Sequence, residues 1–349
     1  MTHFDAIIVG QGLAGTTLAW ELLALGWRVG IVDANRPNSA SRVAAGLITP
    51  ITGKRLAIAA DFPLLWQAAR AFYARAEIAA GASFFHRLGI VRLFANARDE
   101  ATFAAKQVSE FAGHIARPVP LLNAHSFDAG AGGFLMPDAG RVDVPVYLQA
   151  SRSAWGSRVE FAEGTLDYRD ILLDAAGVRV GSLGWTSRVL AFCEGVSAGP
   201  NPWFPRVPFA PTKGELLTIR VPGLDEERVV NRGVWLLPLG GERFLVGATY
   251  DRDHLDDVPT AGGRAWLESR LRAFLKLPYD VLGHRAGVRP ILHERKPVIG
   301  LHPRHPQLAY FNGLGSKGAL AAPHYTRRLA DALANGTAVE PELDAGRYA

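Results

Sequence analysis

Cysteine is almost absent from this chain of 349 residues: Cys193 is the only one, so no intramolecular disulfide can form. Its apolar neighbours Val189, Leu190, Ala191 and Phe192 mark it as an inert core thiol rather than a reactive one. No apolar run approaches the ~20 residues that cross a bilayer. No basic leader precedes the first apolar run, and Gly10 and Gly12 interrupt it, so it does not read as a secretion signal. Internal repeats, low-complexity tracts and Pro/Ser linkers are missing as well. Charge of one sign is scarce: the net +5 is small for this length and contains no run of five like charges, so scattered solvated charge is favoured over a nucleic-acid surface. Eight tryptophans are dispersed without a base-stacking pattern. His302 and His305 sit in a Pro-rich stretch with no cysteine partner, which reads as a solvated turn and not a metal site. The expectation is a soluble, cytoplasmic globular protein, with 48% hydrophobic residues to build its core.

The sequence speaks most clearly at its start. An apolar run, Asp5 to Val9, leads into Gly10-Gln11-Gly12-Leu13-Ala14-Gly15; Leu18, Leu22 and Leu25 then follow at helical spacing, and a second apolar run ends on Asp33. This is a strand–turn–helix–strand unit with a dinucleotide fingerprint. Gly10 makes the tight turn, Gly12 admits a pyrophosphate to the backbone, and Gly15 lets helix and strand pack. The helix N-terminus offers free N–H groups to phosphate, and Asp33 is placed to accept from ribose hydroxyls.

Further helices are predicted over Asp61–Ala79, Glu100–Phe111, Asp143–Ala154, Gly262–Lys276 and Gly318–Ala334, and a strand over Gly89–Ala95. Short strands fill Val159–Cys193 and Lys213–Thr249; the alternation from Glu215 to Thr249 indicates an antiparallel sheet. The class is therefore α/β: a Rossmann-like dinucleotide-binding domain interleaved with an α+β substrate domain whose sheet is mostly antiparallel. We expect the first to comprise residues 1–80, 140–206 and 286–349, and the second residues 81–139 and 207–285.

Two more glycine-rich signals favour FAD over NAD. Ser39 to Gly46, with Ser41, Arg42, Ala44, Ala45 and Gly46, combines small residues with a hydroxyl, as close approach by a planar ring and ribityl chain requires. Asn312-Gly313-Leu314-Gly315-Ser316-Lys317-Gly318 follows a strand and opens the last helix, placing Lys317 in its first turn near the cofactor. Donors and a cation there stabilise the negative charge of a reduced flavin.

With these motifs in this order, joined by GRVDVPVYL, PTKGELL, VGATYD and GVRPILHERKPVIG, the chain resembles the FAD-dependent oxidoreductases of the D-amino-acid oxidase superfamily over essentially its whole length. The resemblance implies two domains with the flavin between them, and hydride abstraction from a carbon bearing an amine. It adds Ala34 and Gly195 to the cofactor set. It also implies that Arg289, in Gly287-Val288-Arg289-Pro290, holds a substrate carboxylate; the bland alternative is an ion pair with Glu294. A guanidinium fork suits a carboxylate in two-point contact. Trp235 stands near the place where family members often carry a tyrosine, and Arg295-Lys296 replaces the usual acidic residue. Tyr250 and His254 follow the VGAT strand, at the pocket or on a surface loop. These departures leave the substrate open. The expected enzyme oxidises the C–N bond of a small amine or amino acid, with O₂ or another electron acceptor. Two alternatives stand beside it: oxidation of a carboxymethylaminomethyl group on a tRNA wobble uridine, to which the cluster Arg285, Arg289, Arg295, Lys296 speaks, and a non-catalytic flavoprotein subunit.

Overall fold

A computed structural model describes residues 1–53, 55–58, 61–107, 110–111, 117–118, 122–130, 132–196 and 200–349. The N-terminal unit forms as its pattern requires. Strand β1 (Thr2–Val9) pairs in parallel with strand β2 (Val29–Asp33), and helix α1 (Leu13–Ala24) connects them. Strands Val159–Glu163, Trp185–Phe192 and Leu308–Asn312 extend this sheet in parallel, so its core runs 159–163, β2, β1, 185–192, 308–312. Antiparallel strands Val298–Leu301 and the 171–180 hairpin finish its edges.

Helices Phe62–Ala80, Val144–Trp155 and Gly318–Asn335 join α1 on one face, burying Leu18, Trp66, Tyr147 and Leu329 against Ala6, Ile8 and Ile31. Phe4, Ile7, Trp185 and Phe192 form a separate core on the other face. Asp143 lies outside its helix as the N-cap, accepting from Val146 N–H, and Pro145 occupies the first turn where its missing donor costs nothing. Two predicted helices begin or end early. Ala97–Gln107 starts three residues before Glu100, and Ala261–Arg272 stops before Lys276. Polar caps set both starts: Asn96 Oδ1 accepts from Arg98 and Asp99 N–H, and Thr260 Oγ1 accepts from Gly263 N–H at 2.9 Å. The predicted Gly89–Ala95 strand is shorter, Ile90–Leu93.

A second sheet runs 280–289, 212–220, 243–247, 234–240, 229–232, 90–93, 133–136, 117–118. It is antiparallel except for one parallel pair, 229–232 with 90–93. Period-two alternation sorts its side chains. Leu217, Ile219, Val234 and Leu236 pack under Leu267 and Leu271 of helix 261–272. Leu216, Leu237 and Trp235 point to the opposite face, together with Val43 of the short helix α2 (Ala40–Val43). That face looks onto the C-terminal ends of the parallel strands. No helix among the described residues is long and apolar enough to cross a membrane.

Candidate functional site

One cleft lies where the carboxyl ends of β1, β2, 185–192 and 308–312 meet the second sheet, the position at which open α/β sheets bind ligands. It extends from Asp33–Arg36 and Gly164–Leu166, past the glycine turn, to Ala44–Leu47, Trp235 and Arg289.

Its glycines act by what they leave out. Gly10 holds φ at +103°, and a Cβ there would stand 2.5 Å from the Cys193 carbonyl oxygen. A Cβ on Gly12 would meet Ser41 Oγ at 2.9 Å, and one on Gly15 would overlap the Gly10 carbonyl. Gly15 thus lies outside the cleft and fixes helix against strand, as its place in the motif implies. Gly46, at φ +67°, passes so close to the Val142 carbonyl that no side chain fits. The N-cap of α1 is Gly12, which supplies no side-chain cap; Ser41 Oγ instead accepts Leu13 N–H at 3.0 Å. Asp33 accepts Gln11 N–H at 2.6 Å on one oxygen and Asn35 N–H at 2.8 Å on the other. Arg42 donates to the Asn35 side chain at 2.8 Å. Backbone cradle, helix N-terminus and carboxylate together fit a dinucleotide.

The C-terminal glycine loop is tied to this cleft from two sides. Asn312 donates to the Gly195 carbonyl at 2.8 Å, and Gly315 N–H donates to the Pro290 carbonyl at 3.1 Å. Gly195, Gly315, Ser316 and Gly318 line the cleft with Ala14, Ala34 and Ala45. Gly313 does not; its φ of +83° makes the turn beside Leu292. Lys317 requires a correction. It is the N-cap of the last helix, one residue before the first turn, and is not among the cleft-lining residues. Its side chain is exposed, and its pKa is lowered by partial desolvation first and by the like charge of Arg295 second.

Arg289 ends strand 280–289 and lines the cleft. Its guanidinium donates to the backbone carbonyls of Lys213 and Thr249, each at 3.3 Å, and lies 4.9 Å over the Tyr250 ring. No carboxylate among the described residues pairs with it. Glu294, the alternative partner, bonds Arg347 at 3.2 Å. Burial lowers the Arg289 pKa. Gly214 on the neighbouring strand makes the space: any Cβ there would overlap the guanidinium. Trp235 walls the same end, its ring packed over Gly247. Tyr250 is 58% exposed and does not line the cleft; it floors the guanidinium from outside. His254 is turned to Asp251, at 3.0 Å.

The residues of the basic cluster stand in different surroundings. Arg289 is inside, Lys296 lies 3.7 Å from Glu342, and Arg285 and Arg295 are exposed. His302 Nδ1 accepts from Arg304 and His305 N–H, a turn device. The sequence reading passed over Gln11, Thr165, Glu194, Gly214 and Ala248, all of which line the cleft. Gly214 carried a usable signal, since glycine inside a strand marks a close approach. For Glu194 the signal was an acidic residue directly after the apolar run Val189–Cys193.

This geometry defines a dinucleotide-dependent enzyme of two interleaved sheets. Residues 5–332 match the family described as FAD dependent oxidoreductase (DAO), and the chain belongs to it; its cofactor is FAD. Glycine oxidase of Geobacillus kaustophilus is 26% identical over 93% of this chain and 91% of its own. The crystal structure of glycine oxidase from that organism superposes with a TM-score of 0.82 at 22% identity, covering 100% of both chains. Iminodiacetate oxidase from Chelativorans sp. BNC1 gives a TM-score of 0.78 at 23% identity, covering 99% of this chain and 98% of that one. The tRNA 5-methylaminomethyl-2-thiouridine biosynthesis bifunctional protein MnmC of Burkholderia thailandensis is 27% identical over 85% of this chain, which spans 48% of that protein's length.

Proposed function

We propose that this FAD-dependent oxidoreductase oxidises the C–N bond of a small amine or amino acid that carries a carboxylate. One observation carries the reading: the cleft-lining, partly buried guanidinium of Arg289, which has only carbonyl acceptors and no carboxylate partner among the described residues. A buried cation left without an anion is costly unless a ligand supplies one. A substrate carboxylate gripped at two points fixes the carbon beside it, which converts a bimolecular encounter into an oriented one. Tyr250 holds the guanidinium plane from below, and Trp235 closes the apolar side.

FAD, when bound, supplies the two-electron oxidation that turns an amine into an imine. Gly10, Gly12, Leu13, Ala14, Ser41 and Arg42 would hold its diphosphate region, and Asp33 and Ala34 its ribose. Ala44, Ala45, Gly46, Gly195, Gly315, Ser316 and Gly318 would enclose the rest, with Gly15 and Gly313 shaping the turns and Lys317 acting only through the helix end it caps. The imine hydrolyses in solution, and O₂ or another acceptor takes the electrons. The division into a flavin unit (1–80, 140–206, 286–349) and a substrate unit (81–139, 207–285) is part of this proposal. The names of the glycine and iminodiacetate oxidases support a small amino acid or N-substituted glycine.

The test is anaerobic bleaching of the flavin across amino acids, N-substituted glycines and amines without a carboxylate. Carboxylate-bearing amines are expected to bleach it. Arg289→Ala should lower kcat/KM for them by ~3 kcal/mol, about two orders of magnitude, mostly through KM. Equal bleaching by carboxylate-free amines, or an unchanged KM in the variant, overturns the reading.

A further inference from the structure

Glu194 sits at the carboxyl end of strand 185–192, directly across the glycine turn: a Cβ on Gly10 would stand 3.4 Å from its Cα. It lines the cleft. Both carboxyl oxygens accept from the Tyr168 hydroxyl, at 3.0 and 3.1 Å, and one accepts from Asn201 Nδ2 at 3.2 Å. Around it stand Tyr168 and Asn201 from the loops on its own side of the sheet, Cys193 on its own strand, and Tyr310 and Asn312 from the next strand. Asp33, Arg36, Arg42 and Arg289 are the other charged residues that line the cleft; Arg42 is engaged with Asn35, and Arg289 with the Lys213 and Thr249 carbonyls. No arginine, lysine or histidine among the described residues pairs with Glu194. A carboxylate without a cation would face the diphosphate of a dinucleotide as a like charge.

We propose that Glu194 is a cofactor-contacting residue that meets the dinucleotide as a neutral acid, its own O–H directed to the cleft, so that binding FAD takes up a proton. The donors are arranged for this. Tyr168 and Asn201 donate to lone pairs on the protein side, so apart from the Tyr168 hydroxyl oxygen no described group stands within hydrogen-bond distance to accept the carboxyl proton. A phosphate or ribose oxygen in the cleft is such an acceptor. Burial also raises the Glu194 pKa to about 7, against the opposing hydrogen bonds from Asn201 and Tyr168, so the neutral acid is accessible near neutrality. The bound anion raises the pKa further. The sign follows: FAD affinity is full below the free-state value and falls as pH rises through it, by up to about tenfold per pH unit for one linked proton, until the bound-state value is passed. No histidine lines the cleft among the described residues to give the same slope.

The inference rests on FAD binding, and its experiment starts from purified holoenzyme, whose flavin content reports on that separately. Holoenzyme is diluted into buffers from pH 5.5 to 9, and released FAD is read by its fluorescence to give Kd. The wild type is expected to weaken by tenfold or more above pH 7. Glu194→Gln, which keeps the shape and cannot ionise, should be flat and bind at least as tightly at pH 9. Tyr168→Phe removes a donor that stabilises the carboxylate and should move the inflection upward, which keeps the test decisive where Glu194→Gln does not fold. A flat wild-type profile, a parallel slope in Glu194→Gln or an unmoved inflection in Tyr168→Phe overturns the proposal.

Discussion

Gly214 and Arg289 show how much a single missing Cβ decides. The guanidinium fills the space above Gly214, so Gly214→Ala pushes the charged end of a flexible side chain and leaves the sheet backbone in place. We expect Gly214→Ala to raise KM for carboxylate substrates about tenfold with flavin content unchanged, a milder copy of Arg289→Ala. Steady-state kinetics beside the flavin absorbance ratio checks this; normal KM would place the guanidinium's working position elsewhere. Arg289→Lys should not restore wild-type KM, because an ammonium keeps the charge and loses the planar fork. Gly46 is a contrasting case. Its backbone is in the left-handed region against the Val142 carbonyl, so Gly46→Ala strains the main chain itself.

At the scale of elements, the segment Thr249–Thr260 is a strap over the Arg289 end, held by alternate residues of strand 212–220. Lys213, fully buried, exchanges backbone hydrogen bonds with Asp251 and places its ammonium 2.6 Å from Asp256. Glu215, also buried, accepts from Thr260 N–H at 2.9 Å and Thr260 Oγ1 at 2.8 Å, and lies 2.8 Å from His284 Nε2. The ion pair is unequal, for Asp256 is largely exposed and Lys213 is not. Deleting the carboxylate strands a buried ammonium, whereas deleting the ammonium returns Asp256 to water. Asp256→Ala should therefore lower the urea midpoint more than Lys213→Met, and both should speed hydrogen exchange over residues 251–258. The opposite ranking would show that the ammonium finds another partner. The Lys213 hydrogen bond depresses the Asp256 pKa. This anchor is thus present above the ordinary carboxylate range and is lost as pH falls through the lowered value.

For the whole molecule, the two sheets place the cleft at their junction, and the only thiol, buried Cys193, borders it. Cys193 is buried and burial pushes its pKa up, so it is a poor nucleophile. Purified protein should be yellow, and acid or heat denaturation should leave all FAD in the supernatant. Flavin retained on the precipitated chain would mean a covalent link. Both sheets were legible in the sequence for different reasons. The parallel one announces itself through Gly10–Gly15 and Asp33, where backbone geometry demands particular residues. The antiparallel one shows only as alternation from Glu215 to Thr249, which fixes side-chain faces but not strand order.

The sequence by itself determined the dinucleotide turn, the long helices with their apolar stripes, and the candidacy of Arg289, because each rests on local spacing or on a motif contiguous in the chain. Tertiary structure decided what Arg289 pairs with, that Lys317 is the N-cap residue of the last helix and does not line the cleft, and that Tyr250 lies beneath the guanidinium. It also brought Glu194 across from Gly10, more than 180 residues away in the chain. Charge neutralisation and burial depend on which strands become neighbours, and strand order is set by long-range packing that no local pattern encodes.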